Sequence, residues 1–435
     1  METFVLLSLL AVTGAAAPPG RVLTLDEALR TAIAHQPQLR QARANTEVAS
    51  ARADESRAAL LPQVSGNASY ERTTSNFVLR PSSLPTSVAT MKTPGPTFDT
   101  FNFWSFGLQL NQLVWDFQSV DRWKSSKATA VAQRDVEKTT TLQVETQVRT
   151  TYFTARAQKA LVVVAQETLA NQQKHMVQIS GFVRVGTRPE IDLATAKTNV
   201  ANAEVQLINA ENAYETAKAQ LNLAIGVAGP TDYDVADETL PPVDGEDLTT
   251  DALYDEALKA RPEVATLTEQ VRAQELQLRA QQGALYAPSI GVSSALTDTG
   301  ADITNLAWNW NAQATLSWQL FTGLLNYSQV KEQHGLVGAL EAQLDAQKQQ
   351  VRLDVDQARL AVRAAKVSIA ATEEALTNAR QQLQLAEGRY QAGVGNSIEL
   401  SDAQVALTQA EAQRVQSDYN LATARAQLLK ALGRR

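Results

Sequence analysis

The segment NLAWNWNAQATLSWQL, residues 305–320, alternates between apolar and polar side chains. Every even position from Leu306 to Leu320 is apolar, and the odd positions after Ala307 are asparagine, glutamine, threonine or serine. Successive side chains of a strand point to opposite faces, so this pattern predicts a long strand with one apolar and one polar face. Similar alternation elsewhere completes a set of four predicted strands, near 62–72, 103–115, 288–298 and 306–321.

Two kinds of fold use such strands. A soluble sandwich buries the apolar faces of about seven strands, whereas a membrane barrel turns them towards lipid and carries aromatic belts. Four strands are too few for the sandwich, and their tryptophans suit the belts, so we favour the barrel. Because small barrels need about eight strands, and every backbone group in lipid must be paired, the barrel should be shared among subunits. Three chains would supply twelve strands, with lipid-facing side chains including Trp308, Trp310, Leu316 and Trp318.

Long helical segments follow the second and fourth strands. Large and small apolar residues recur there every seventh position, for example Leu193 and Val200 with Ala196 and Ala203. Such a period is typical of supercoiled helices that pack closely. A helix from about Val120 to Ser180 would be about 90 Å long, too long for a compact globule, which predicts a rod or a tube. After the N-terminus, no run reaches the roughly 18 apolar residues of a membrane-spanning helix.

The sequence also contains an internal repeat. LTLDEALRTAIAHQP (23–37) returns as LTTDALYDEALKARP (248–262). The long helices are interrupted by GFVRVGTRPEIDLATA (181–196) in the first half and GRYQAGVGNSIELSDA (388–403) in the second. Each half therefore reads as helix, strand, loop, strand, long helix, break and helix, which indicates an internal duplication.

Composition removes several classes of function. The 435 residues carry a net charge of −7 and no cysteine, which excludes disulfides and thiolate sites and makes nucleic acid an unexpected partner. The three histidines, His35, His175 and His334, lack metal-ligand spacing, and no glycine-rich phosphate loop is present. We therefore expect no enzyme, no cofactor and no metal site. Residues 1–17 have the apolar run and small residues of a signal peptide, so we expect export.

The duplicated order of helices and strands, the entries LLPQVSG and YAPSIGV, and the breaks VGTRPEIDLATA and AGVGNSIELSDAQVAL resemble the TolC-type outer membrane efflux proteins. The resemblance implies a mainly α trimer with a tunnel of long coiled helices and a shared twelve-stranded β-barrel. It also implies a place in the outer membrane of a Gram-negative bacterium, with the helices in the periplasm. The implied partners are outer membrane lipid, a periplasmic adaptor protein and an inner membrane transporter.

With this resemblance the chain divides into eight parts. Residues 1–17 are the signal peptide, 23–61 the first periplasmic helices, 62–117 the first two strands with an exposed loop at 73–102, and 118–226 tunnel helices with a tip turn at 181–190. Residues 227–248 are a connector, 249–287 the second periplasmic helices, 288–323 the last two strands with a short loop at 297–305, and 324–433 tunnel helices with a tip turn at 388–397.

The resemblance also implies site residues. The tip turns that would contact the adaptor centre on Gly186, Thr187 and Arg188 in the first half, and on Gly393, Val394 and Gly395 in the second. Acidic residues just after the turns would form carboxylate rings at the channel aperture, and the matching positions are Glu399, Asp402 and Asp192. Carboxylates in the first turn of a helix also complement its dipole, and for Asp192 this explanation has equal weight. Gly395 replaces a tip arginine of some relatives, so we expect a different closing contact.

The implied function is passive conduction from an inner membrane transporter to the exterior. Small molecules or drugs are the expected cargo, with secreted proteins or metal ions as alternatives. A periplasmic coiled-coil scaffold would explain the seven-residue period but neither the tryptophan-bearing strands nor the signal peptide.

Overall fold

A computed structural model gives the fold for residues 20–74, 98 and 100–434. The predicted signal peptide and most of the predicted loop at 73–102 lie outside these residues. Within them, no helix combines the length and the apolar character needed to cross a membrane.

Short strands and helices alternate with very long helices along the chain. The strands are β1 (Arg21–Leu23), β2 (Gln63–Thr74), β3 (Thr100–Trp115), β4 (Tyr233–Val235), β5 (Ser289–Asp302) and β6 (Asn305–Ser317). The helices are α1 (Leu25–His35), α2 (Pro37–Ala58), α3 (Phe117–Arg184), α4 (Glu190–Ile225), α5 (Thr250–Ala260), α6 (Pro262–Tyr286), α7 (Leu325–Gln391) and α8 (Ser397–Ala431).

The predicted long helices are confirmed. α3 has 68 residues and α7 has 67, which corresponds to about 100 Å each at 1.5 Å per residue. The small residues of the seven-residue period face inward as expected. Those buried in α4 are Ala196, Ala203, Ala217 and Ala224, and those buried in α8 are Ala403, Ala410, Ser417, Ala424 and Ala431.

The chain divides into two compact units. One contains residues 47–131 and 269–342, and the other contains the rest of the described chain. The first unit holds an antiparallel sheet with the strand order β2-β3-β5-β6. Its helical segments follow the same order, because side-chain bonds join α2 to α3, α3 to α6 and α6 to α7. The two halves of the duplication thus lie side by side in this unit.

The strand ends differ from the sequence prediction in three places. The predicted loop at 297–305 is wrong, because β5 continues to Asp302 and β6 begins at Asn305, which leaves a two-residue turn. The loop at 73–102 is shorter at both ends, since β2 reaches Thr74 and β3 begins at Thr100. β6 ends at Ser317 instead of residue 321, so Trp318 lies just beyond the strand.

The second unit packs the short helices against the long ones. β1 and β4 form a parallel pair, and the Tyr152 hydroxyl donates to Leu23 O and Ala236 O beside it. One core cluster collects around this pair, and its largest fully buried members are Tyr152, Phe153, Leu39 and Leu221. A second core cluster joins α5, α7 and α8 through residues that include Leu253, Val351, Val355 and Leu428.

The duplication is visible at the junctions of the short helices. α2 and α6 both begin with proline, Pro37 and Pro262, which suits the first position of a helix. The residues before them have diverged. Gln36 Nε2 donates to Leu223 O and Ala224 O at the end of α4, whereas Arg261 pairs with Asp354 at 2.8 Å.

Candidate functional site

One face of the four-stranded sheet is mainly apolar, although Asp298 and Ser294 also lie on it. Because paired residues of an antiparallel sheet point to the same side, the register collects the apolar positions of all strands on one face. Two successive cross-strand rows are Gly66, Leu108, Leu296 and Trp310, and Ala68, Phe106, Asp298 and Trp308. The other face carries asparagine, glutamine, serine and threonine, with a bond from Gln109 Nε2 to Asn111 Oδ1.

Aromatic side chains bound this apolar face at two levels. Tyr70 packs on Trp104 with ring centroids 4.5 Å apart, and Trp115 packs on Phe117 at 5.2 Å. Trp104 and Trp115 are eleven residues apart in β3. Their partners in β5, Gly300 and Ile290, are ten residues apart, so at about 3.3 Å per residue and a tilt of about 40° the two levels are about 25 Å apart. This separation is close to the apolar band of about 25 Å on outer membrane barrels.

A β-bulge places Trp115 on the apolar face. The pairing of β3 with β5 shifts between Leu113 and Trp115, so that Trp115 lies opposite Ile290. If Val114 were an ordinary paired residue, strict alternation would direct Trp115 to the polar face. Ile290 in turn pairs with Leu316. The predicted lipid-facing side chains Trp308, Trp310 and Leu316 are on this face, and they and Trp318 are all exposed.

The sheet has two open edges. In the described sheet, β2 pairs only with β3, and β6 pairs only with β5. Unpaired strand edges offer rows of backbone donors and acceptors to another strand. In hydrocarbon each unpaired group would cost several kcal/mol, so this sheet cannot face lipid until both edges are paired.

The two tip turns share one backbone geometry. Gly186 and Gly393 both have φ of 77°, a left-handed conformation that glycine adopts without a steric penalty. In the first turn the Gly186 and Thr187 amides donate to Val183 O and Phe182 O, both at 3.0 Å. In the second turn the Gly393 and Val394 amides donate to Tyr390 O and Arg389 O at 3.1 Å. Each turn therefore ends a long helix with a Schellman motif.

Arg188 connects the first turn to the second. Its Nη2 donates to Gly395 O at 3.1 Å, and its Cζ lies 4.6 Å from the centre of the Tyr390 ring. Tyr390 is only 2% exposed and belongs to a buried cluster at the tip. That cluster also contains Ile179, Ala196, Ala386, Leu400 and Ala403. The predicted turn residues are thus brought together by a contact that the sequence did not reveal.

His175 lies beneath this contact. It is buried on α3, and its ring meets the Tyr390 ring edge-on with centroids 5.4 Å apart. Burial lowers the pKa of His175 below its ordinary value, and a hydrogen bond with Gln178 partly opposes the shift. Burial raises the pKa of the Tyr390 hydroxyl, while Arg188 lowers it and Asp192 raises it.

The three candidate carboxylates differ in their surroundings. Glu399 Oε1 pairs with Arg389 Nε at 3.1 Å, and its amide donates to Asn396 Oδ1, which caps α8. Asp192 accepts a bond from Ser397 Oγ at 3.3 Å. Asp402 is exposed and has no ion pair or hydrogen bond with any described side chain. Of the three, only Glu399 has its charge offset by a described cation, and only Asp402 has neither an ion pair nor a side-chain hydrogen bond with a described neighbour.

These features agree with the comparisons to known proteins. The family model described as "Outer membrane efflux protein" matches residues 28–227 and 253–434, one segment in each half. The chain belongs to the outer membrane efflux protein family. It is 23% identical over 437 residues to the outer membrane efflux protein BepC of Brucella suis, covering 99% of this chain and 89% of that protein.

Three further matches include one that is partial in length and two that rest on fold alone. The chain is 24% identical to the solvent efflux pump outer membrane protein SrpC of Pseudomonas putida, and the match spans 64% of that relative's length. The fold is similar to the outer membrane protein VceC of Vibrio cholerae, with a TM-score of 0.80, 17% identity and coverage of 94% of this chain and 96% of that one. It is also similar to CusC, with a TM-score of 0.80 at 18% identity and coverage of 94% and 92%.

Membership of the outer membrane efflux protein family confirms the recognised family, the mainly α fold with a β part, and a place in the outer membrane. The relatives are efflux and channel proteins rather than enzymes. Among the described residues, no cluster of His, Asp or Glu could hold a metal ion. The sequence prediction missed Arg389 and Tyr390, although both lie in the GRYQAGVG segment that it identified as a turn.

Proposed function

We propose that the chain is the outer membrane exit duct of a tripartite efflux system and works as a homotrimer. Three four-stranded sheets close into a twelve-stranded barrel, and the long helices extend into the periplasm as a tunnel. The duct is passive: it takes substrate from an inner membrane transporter and a periplasmic adaptor, and the transporter supplies the energy.

The four-stranded sheet carries this proposal. Its apolar face has the height of a membrane's apolar band, and both of its edges need a partner. Closure with two further copies pairs β6 of one protomer with β2 of the next and leaves no edge in lipid. The apolar face then meets lipid, and the polar face lines a water-filled channel.

A helical surface supports the same assembly. Leu353, Leu360 and Val367 lie seven residues apart on α7 and are 48%, 54% and 66% exposed. A row of large apolar residues at this spacing is a coiled-coil seam, and it is uncovered in a single chain. A neighbouring protomer would bury it.

The mass of the detergent-purified protein tests the trimer. After subtraction of detergent, light scattering should give about 140 kDa, three times 47.1 kDa. Leu360→Asp should shift the protein towards smaller species, whereas Arg363→Asp, on an exposed position of the same helix, should leave the trimer intact. A monomer that stays dispersed without detergent would contradict the proposal.

The tip turns are the proposed docking surface for the adaptor. Val185 comes just before the glycine of the first turn and Val394 just after the glycine of the second, and they are 71% and 72% exposed. Exposed apolar residues on rigid turns suit a protein partner. With Gly186, Thr187, Arg188, Gly393 and Gly395 they form the surface on which photo-crosslinkers should capture the adaptor; crosslinkers at Val163, away from the turns, should not.

Asp192, Glu399 and Asp402 are the proposed carboxylate rings of the aperture. A trimer would triplicate each, and rings of Asp or Glu favour cations. Because Arg389 offsets Glu399, Asp402 should contribute most of the negative field.

Small apolar molecules are the proposed cargo. The names of several relatives refer to solvent, toluene or antibiotic efflux pumps. Deletion of the gene should lower tolerance to toluene, and the intact protein should restore it. An unchanged tolerance together with loss of a secreted protein or with metal sensitivity would favour the alternative cargoes.

A further inference from the structure

The tip contains a buried ionisable group that conduction does not use. His175 on α3 is 6% exposed and contacts the Tyr390 ring of α7. Arg188 lies against the same ring and holds the Gly395 carbonyl of the second turn. An imidazole, a phenol and a guanidinium therefore form one cluster, and this cluster joins α3, α7 and both turns.

We propose that His175 makes this packing sensitive to acid: protonation of its imidazole separates the first tip turn from the second. The proposal rests on the proposed function only for its effect on conduction. The structural change itself can be measured in any folded sample.

Two charged groups, Arg188 and Asp192, lie beside the cluster. Arg188 is a fixed cation on the Tyr390 ring, so a second cation on His175 would meet like charge as well as a loss of hydration. Asp192 on α4 is the acidic neighbour, and it already accepts a bond from Ser397. α8 contributes the uncharged Gln404, whose Oε1 accepts a hydrogen bond from Gln172, about one turn before His175 on α3.

The direction of the pH effect follows from burial. A lowered pKa means that the packed tip binds a proton on His175 less readily than the loosened tip does. The stabilising contribution is therefore complete above pH of about 6.5 and is lost as the pH falls through the lowered pKa. Within that window the ratio of loosened to packed tip rises by up to about tenfold per pH unit.

The chain is well suited to a direct distance measurement. It has no cysteine, so Val185→Cys and Val394→Cys place spin labels on the two turns at exposed positions without background. Pulsed electron resonance in detergent at pH 7.5, 6.5 and 5.5 should show a longer, broader component that grows in acid. Over this range most carboxylates, which titrate near pH 4, stay ionised.

The other two histidines are matched controls. His35 and His334 are exposed on α1 and α7 and lie outside the tip cluster. His175→Gln should abolish the acid response, whereas His35→Gln and His334→Gln should leave it unchanged. An acid response that persists in His175→Gln would overturn the proposal. So would the lack of an acid response in the spin-labelled chain that keeps His175.

If the His175→Gln variant fails to fold, a second measurement on the chain that keeps His175 tests the proposal. With only three histidines, isotope-labelled imidazoles can be followed by magnetic resonance and assigned through the His35→Gln and His334→Gln variants. The pKa of His175 should lie below the ordinary histidine value of about 6.5. A pKa at or above that value would mean that the Tyr390 ring stabilises the imidazolium and would refute the proposal.

Single-channel current separates this proposal from the proposed function. Tip separation in acid with increased conductance supports both. Tip separation without any change in current supports the role of His175 and counts against the tip as the barrier to conduction.

Discussion

The two tip turns have the same backbone and different side chains. Both end a long helix with a glycine at φ of 77° and the same pair of amide bonds. The first turn contributes Arg188, a cation with no described carboxylate partner, which reaches across to the second turn. The second turn contributes the acceptors, the Gly395 carbonyl and the Tyr390 ring, and has its own cation Arg389 paired with Glu399.

This difference shows what duplication preserved and what it changed. The backbone of a reversal is fixed by local requirements, a glycine and the amide bonds around it, so both copies keep it. Side chains on the turns face each other across the protomer, and there identical copies would place like groups together. Divergence into a donor turn and an acceptor turn resolves that conflict.

The largest effect is expected when the Tyr390 ring, which Arg188 contacts, is removed. Tyr390→Ala deletes a buried aromatic side chain and should cost about 3–5 kcal/mol of local packing free energy. Deuterium exchange should then accelerate in both turns, at 181–190 and 388–397. Tyr390→Phe is the control, because the hydroxyl is buried with no hydrogen-bond partner, and exchange should be unchanged or slower. Acceleration confined to the second turn would mean that the turns are independent.

The next test contrasts the two arginines. Arg188→Ala removes a charged hydrogen bond and a cation–π contact, and should destabilise the tip by about 2 kcal/mol. Arg389→Ala breaks an ion pair in which Arg389 is 57% exposed, and should cost at most about 0.5 kcal/mol. Deuterium exchange of the tip peptides measures both. Equal effects would remove the distinction between a crossing contact and a local pair.

Substitution of the three carboxylates should have the smallest effect on stability. Their role is tested by measuring how strongly cations block the pore current. Asp402→Asn should weaken block of the pore current by multivalent cations by roughly tenfold, since three charges leave one ring. Glu399→Gln should change the block less, because Arg389 already offsets that charge. Asp192→Asn should change it least if Asp192 serves mainly the helix start and Ser397. Unchanged block in the Asp402 variant would remove that residue from the aperture.

Periodicity in the sequence predicted the strands, the long helices and the two breaks. These features depend on side chains two, four or seven positions apart, which a single chain displays directly. The bulge at Val114 was not predicted from the sequence, because one inserted residue near the end of β3 shifts the alternation only for the residue that follows it. The segment TDTGADITN has a loop-like composition, yet cross-strand pairing extends β5 and β6 through most of it.

The tip cluster could not be predicted for a different reason. Arg188 and Gly395 are 207 positions apart, and nothing local marks them as partners. His175 has helix-like neighbours, and only the packed structure shows that it is buried against Tyr390. Glycine in the sequence therefore marks the position of each turn. The side chains that join one turn to the other can be identified only in the tertiary structure.

The pairing of β3 with β5 constrains the order in which the chain can fold. Trp104 pairs with Gly300, so the centre of the sheet joins segments separated by nearly two hundred residues. The β2-β3 hairpin is complete early in the chain, but one side of β3 stays uncovered until the second half has arrived. Closing such a long loop is slow, and during that time an apolar hairpin with free edges is open to wrong pairings. The duplicated architecture therefore leaves the strands of the first half incompletely paired until the second half of the chain has been made.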